Sequence, residues 1–300
     1  MHDTTSEPIT GTAAGVPFTA LPPAAANGTH GTGSTDSTDS TGATGATESP
    51  APLIVTWHMM DAPCTDAAFA AALPLLGVPA WRVHLGLPWC GVRTFAGGRE
   101  ESERDPMMRY VDPVVRQAVD EFPAALAALR DKLPTDGGPI GIIGGSLGGA
   151  VALSVLAGRQ TPVAAAALVN PAIRARSVVE LIAGSTGRPY PWSAVSEAAA
   201  DRLDFVALAG NIAGNIAGHA IQPPVLVVSG ELDYPVFRTD AAALVAALTE
   251  RYAQPRQVRL TSIADLAHPL AERPGLEPAP QLATAKLVDE AMTTWFLDHF

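Results

Sequence analysis

From residue 52 onward the apolar positions fall in short bursts of strand length, separated by longer stretches with helical spacing. The bursts at 53–57, 81–85, 139–143, 163–169, 224–228 and 257–263 are predicted strands. The stretches at 66–76, 113–133, 147–157, 238–252 and 281–300 are predicted helices, with Pro123 expected to break or kink the second. The strands are apolar throughout rather than alternating, as expected when both faces of a sheet are covered. Strand and helix in alternation imply βαβ units, and so an α/β fold with a mostly parallel central sheet flanked by helices. In such sheets functional residues gather at the C-terminal ends of the strands.

Two segments break this rhythm. Residues 24–51 are Gly, Ser, Thr, Ala and Asp, with direct repeats such as Ser34-Thr35-Asp36 followed by Ser37-Thr38-Asp39. Such a stretch buries too little surface to offset its ordering entropy. Residues 1–51 are therefore read as a largely disordered N-terminal region preceding a main domain at 52–300. Within it, 15–23 is a candidate edge strand, where prolines are tolerated. If that strand forms, the repeats are a loop between early strands; if not, they belong to a tail. The second break, about 172–222, joins two strands through some fifty residues carrying Tyr190, Trp192 and Phe205. An insertion of that length reads as a small helical lid over a site.

The 300 residues carry 19 Lys and Arg against 30 Asp and Glu, a net charge of −11. That balance argues against a nucleic-acid partner, which needs a basic face. No window is apolar enough to span a membrane. The first residues show neither a basic nor an apolar leader region, so a cytoplasmic location is expected. Two cysteines, Cys64 and Cys90, make no disulfide framework, although they could pair in an oxidising compartment. No cluster of His, Cys and Asp has metal-ligand spacing, and no metal or other cofactor is expected.

The sharpest chemical signal is Gly144-Gly145-Ser146-Leu147-Gly148, directly after a strand and directly before a helix. A serine in that G-x-S-x-G context sits on a tight turn with its hydroxyl raised above the sheet. The glycines let strand and helix approach, and the N–H of Leu147 at the helix start can face a developing oxyanion. No lysine completes a phosphate-binding loop here. A serine nucleophile needs a base and an acid to orient it. Asp233, just beyond the strand at 224–228, is the candidate acid, with Glu231 the local alternative. His268, just beyond the last strand, is the candidate base. His84 lies inside a strand, His219 precedes the acid, and His58 is read as a structural support for its loop. The loop after the first core strand should supply a second oxyanion donor, the N–H of Met59 or Met60.

These motifs, in the order Ser, Asp, His, resemble the α/β-hydrolase superfamily from about residue 53 to 300. Ser229-Gly230-Glu231-Leu232-Asp233 looks like the family's acid loop and Ala267-His268-Pro269 like its histidine loop. One departure is His58-Met59, where many members have His-Gly. The resemblance implies a cofactor-free serine hydrolase working through an acyl-enzyme, with a small-molecule ester as the expected substrate. Trp89, Tyr190 and Trp192 are candidate apolar linings for it. Acyl transfer, thioester or peptide cleavage on the same fold, and a non-catalytic binding protein are the rival readings. Arg93, Arg99 and Arg104, interspersed with Glu100, Glu101 and Glu103, read as a solvated loop or as a contact for an anionic substrate.

Overall fold

The computed structural model describes residues 7–24, 49–93, 104–214 and 222–300. Residues 1–6 and the repeat region at 25–48, together with Arg99 and His219, lie outside the described residues; residues 7–24, read from the sequence as part of a largely disordered region, instead carry two strands paired into the sheet. The described strands are β1 (Ile9–Ala13), β2 (Val16–Leu21), β3 (Leu53–Trp57), β4 (Trp81–Leu85), β5 (Ile140–Gly145), β6 (Val163–Val169), β7 (Val225–Gly230) and β8 (Val258–Ile263). They form one eight-stranded sheet in the order β1-β2-β4-β3-β5-β6-β7-β8. β1, β2 and β4 pair antiparallel in turn. From β4 through β8 all neighbours are parallel.

The described helices are α1 (Asp66–Ala72), α2 (Asp112–Lys132), α3 (Leu147–Gly158), α4 (Ala175–Thr186), α5 (Ala194–Asp201), α6 (Ala209–Ala213), α7 (Pro235–Thr249) and α8 (Ala283–His299). Successive strand residues point to opposite faces, so one strand feeds two cores. Ile54, Ile143 and Val228 pack with Phe69 of α1 and Trp295 of α8, while Val55, Ile142 and Val227 pack with Phe122 of α2, Leu153 of α3 and Leu244 of α7. The α/β-hydrolase fold is thus a sheet wrapped on both sides, which is why its strands read as unbroken apolar runs.

Several boundaries differ from the sequence reading. The outer strand on the N-terminal side is β1, not the segment near 15–23, because β2 is paired on both sides. α1 ends at Ala72 rather than Leu76, since Pro74 drives the preceding residue out of helical geometry. α7 begins at Pro235 rather than Arg238, because proline has no N–H to lose in a first turn. α2 runs through Pro123 without a break, preceded by one π-helical turn at Met107–Val111. Its buried face, including Phe122 and Leu126, holds it to the sheet and outweighs one missing hydrogen bond.

α4, α5 and α6 lie between β6 and β7 and are tied to two neighbouring elements. Ser177 and Arg174 both donate to Asp240 of α7, Ser177 at 2.6 Å. Tyr190 Oη donates to Asp105 at 2.5 Å, and Arg202 to Asp112 at 3.2 Å. No described helix is long and apolar enough to cross a membrane. Cys64 and Cys90 are both free thiols, the latter pushed up to about 12 by burial.

Candidate active site

The turn between β5 and α3 is made by a residue in an uncommon conformation. Ser146 has φ 47° and ψ −119°, outside what a side chain prefers, and is held there by its surroundings. Its N–H donates to Val169 at 3.1 Å, and its carbonyl accepts from Gly149 and Ala172 at 2.9 and 2.8 Å. The flanking glycines explain the motif. A Cβ at Gly144 would lie 2.3 Å from the Gly148 carbonyl oxygen. A Cβ at Gly148 would meet the carbonyls of Trp57 and His58.

The other groups arrive at the same edge from β7 and β8. His268 Nε2 lies 2.9 Å from Ser146 Oγ, and its Nδ1 lies 2.7 Å from Asp233 Oδ1. A carboxylate oxygen accepts, so Nδ1 carries the proton and Nε2 accepts from the serine hydroxyl. Tyr234 N–H also donates to Asp233 Oδ1, at 2.7 Å, fixing the carboxylate. All three residues are buried, with 7%, 3% and 7% exposure for Ser146, Asp233 and His268. Glu231 is exposed, and its N–H is used by Ile263. The ring of His268 is flanked by Tyr234 and Phe237, with centroids at 5.1 and 5.3 Å. Neither aromatic was singled out by the sequence. Both follow Asp233 closely, so the helix that Pro235 starts brings them to the histidine.

The loop after β3 lies opposite. His58 Nδ1 donates to the Met59 carbonyl at 2.6 Å, and its Nε2 accepts from Leu87 N–H at 2.9 Å. Both ring nitrogens are therefore committed, and burial lowers its pKa to about 4, so the ring stays neutral. Met59 is buried, with its side chain against Gly145, and Met60 is half-buried. Leu147 opens α3, where N–H groups have no acceptor within the helix. Beyond Met60, Asp61 receives Arg273 through two hydrogen bonds, at 3.0 and 2.6 Å. Burial pushes the Asp61 carboxyl up, but the hydrogen bonds from Arg273 and the Ala62 N–H, together with the nearby positive charge, outweigh it and hold the pKa below the ordinary value. That pair joins the loop after β3 to the loop carrying His268.

Tyr190 and Trp192 pack edge to face at 4.8 Å, and Arg176 lies over Trp192 at 4.6 Å. Tyr190 lines a cavity of about 720 Å³ with Arg104, Pro106, Ile182 and Arg188. Trp89, at φ 66°, packs half-buried against the core. Arg93 is committed to Glu121 at 2.6 and 2.7 Å, an arrangement that leaves it holding α2 rather than an anionic ligand. No group of three or more His, Cys, Asp or Glu placed to hold a metal occurs among the described residues.

Residues 115–273, just over half of the chain and including Ser146, Asp233 and His268, match the family model described as the prolyl oligopeptidase family. The chain belongs to the prolyl oligopeptidase family. It is accordingly a serine hydrolase. No curated protein matches the sequence. Among solved structures, the fold is similar to that of TT1662 from Thermus thermophilus, at 18% identity and TM-score 0.62, over 97% of this chain and 99% of that one. It is similar to a puromycin-hydrolyzing peptidase of Mycobacterium tuberculosis, at 17% identity and TM-score 0.61, over 98% of this chain. This prolyl oligopeptidase family member spans only 39% of that peptidase's length. A thermostable esterase from Pseudomonas putida is similar at 16% identity and TM-score 0.57, over 98% of this chain and 82% of the esterase.

Proposed function

We propose that the protein is a carboxylesterase-like hydrolase that cleaves an ester-type acyl compound through an acyl-enzyme on Ser146. The observation that carries this reading is the hydrogen-bonded line from Ser146 Oγ through His268 to Asp233, buried at the C-terminal edge of the sheet. His268 Nε2 takes the hydroxyl proton as Ser146 Oγ attacks the acyl carbonyl carbon. The negative charge that develops on the carbonyl oxygen is held by the N–H of Leu147 and that of Met59 or Met60. Collapse breaks the bond to the alcohol oxygen, which leaves with the proton from His268. Water, deprotonated by His268, then attacks the acyl carbonyl; the acid departs and the proton returns to Ser146. Throughout, Asp233 keeps Nδ1 protonated and supports the imidazolium.

In this reading the described part of the segment at about 172–222 is the lid, and Trp89, Tyr190 and Trp192 contribute apolar surface to the acyl pocket. The lining of the cavity beside Tyr190 includes none of Ser146, Asp233 and His268, so the assignment rests on the aromatic side chains and not on that cavity. A cytoplasmic setting fits the sparse cysteines. Peptide cleavage is the second reading, favoured by the family match over residues 115–273.

Intact-protein mass after treatment with a fluorophosphonate tests the proposal. One adduct on the wild type, lost in Ser146→Ala, supports an activated serine; a folded wild type that stays unlabelled by this probe and by a smaller sulfonyl fluoride overturns it. A panel of matched esters, thioesters and peptide amides then separates the two readings, with the highest kcat/KM expected for the esters.

A further inference from the structure

Asn170 directly follows β6, and its polar groups reach both of the loops that carry the partners of Ser146. It is 1% exposed and has φ 43°, a left-handed conformation that asparagine tolerates better than most residues. Its backbone N–H donates to Val228 of β7 at 2.9 Å. Its side-chain Oδ1 accepts from Gly230 N–H at 2.8 Å, at the start of the loop leading to Asp233. Its Nδ2 donates to the carbonyls of Ala267 and His268, at 2.9 and 3.1 Å. The partners fix which way the amide faces, because a backbone N–H can only donate and a carbonyl can only accept.

We propose that Asn170 is a positioning residue that sets the separation of Asp233 and His268. This inference rests on the catalytic reading of Ser146, Asp233 and His268 given above. The two loops also touch directly: Leu232 N–H donates to the Leu266 carbonyl at 3.0 Å. Gly230 is so close beneath that carbonyl that a Cβ would lie 2.1 Å from its oxygen. The loops are thus packed against each other, but only one side chain among these contacts binds both. Asn170 binds the main chain of His268 itself, the point from which the ring reaches both Ser146 and Asp233. Removing the amide leaves one buried N–H and two carbonyls without their partner, at the residues whose placement decides the ring geometry. A displacement of a reacting group by about 1 Å costs on the order of 100-fold in rate.

The test measures the rate of fluorophosphonate labelling per folded molecule against pH, for wild type, Asn170→Ala and Asn170→Asp, with the folded fraction read by thermal melting. Asn170→Ala is expected to label about 100-fold more slowly at every pH. Asn170→Asp can imitate the amide only in part and only while its carboxyl is protonated, because its single O–H serves one of the two carbonyls that Nδ2 serves. Its rate relative to wild type should therefore be highest at low pH and fall as the carboxyl ionises against the Ala267 and His268 carbonyls. On a good ester, kcat should fall with little change in KM. If both folded variants label at the wild-type rate with an unchanged pH profile, Asn170 is structural only and the proposal is overturned. Lower melting temperatures with unchanged rates overturn it equally. Should Asn170→Ala fail to fold, the pH trend of Asn170→Asp decides alone. A wild type that takes no label strikes the nucleophile reading first, and this inference falls with it, a result distinct from loss of the effect in the variants.

Discussion

Gly148 lies beneath Trp57 so closely that a methyl group at Gly148 would sit 2.2 Å from the Trp57 carbonyl oxygen and 2.4 Å from that of His58. Both obstacles are main chain, so neither can rotate away. Gly148→Ala must push α3 off β3 or shift the loop carrying Met59. It is expected to lose about 3 kcal/mol in urea unfolding, at the upper end for an added methyl in a packed interior, and to lose labelling of Ser146 in the molecules that remain folded.

Asp233→Asn should leave the fold intact and still cripple the reaction. The side chain keeps its size, but its amide favours the wrong histidine tautomer, with Nε2 protonated and unable to accept from Ser146. A fall of about 10⁴ in kcat is the expectation from tautomer loss of this kind. Ester turnover at neutral pH, with circular dichroism as the folding control, measures it.

Acid should weaken the fold through two buried histidines. Burial lowers His58 to about 4 and His84 to about 3. Below an unfolded value near 6.5 the unfolded chain takes up protons that the folded chain refuses, so stability falls as pH drops from 6.5 toward those values. Asp289 acts in the opposite sense. Burial raises it to about 6, so its contribution is complete below 3.8 and is lost as pH rises through 6. Each unit of separation is worth about 1.4 kcal/mol, so the two histidines outweigh the aspartate. The urea midpoint should be lower at pH 5 than at pH 7, and His84→Asn should flatten that slope.

Arg174→Ala should loosen α4 from α7. It removes a charge partner from Asp240, which is 2% exposed and keeps Ser177 as its remaining side-chain donor. Arg174 itself is partly exposed, so the cost is about 1–3 kcal/mol rather than the full penalty of breaking a buried pair. Arg174→Ala with Asp240→Asn should recover part of it, because the neutral amide no longer carries an unpaired charge. Thermal melts of the three variants give the comparison.

What could be read from the chain alone follows from how local each signal is. The parallel strands declared themselves by continuous apolar runs, and Ser146 by the glycines its own turn requires. β1 did not, because four of its five residues are exposed and it is defined by its register with β2. Asn170 is a single polar residue at a strand end, with nothing nearby in sequence to mark it. Its partners are Gly230 at the end of β7 and Ala267 and His268 in the loop after β8, and they come together only once those strands are side by side. Tyr234 and Phe237 were hidden for a related reason. Their approach to His268 depends on α7 starting at Pro235, three residues earlier than the apolar spacing indicated.

Ser146, Asp233 and His268 hang from the ends of β5, β7 and β8, with β6 lying between the first two. No fragment that lacks one of these strands can assemble the hydrogen-bonded line, so an activated Ser146 is a property of the assembled sheet. Its reactivity is therefore a built-in reporter of assembly: during refolding, reactivity toward an acyl probe should arise last, after helix content has returned and once β8 has docked on β7.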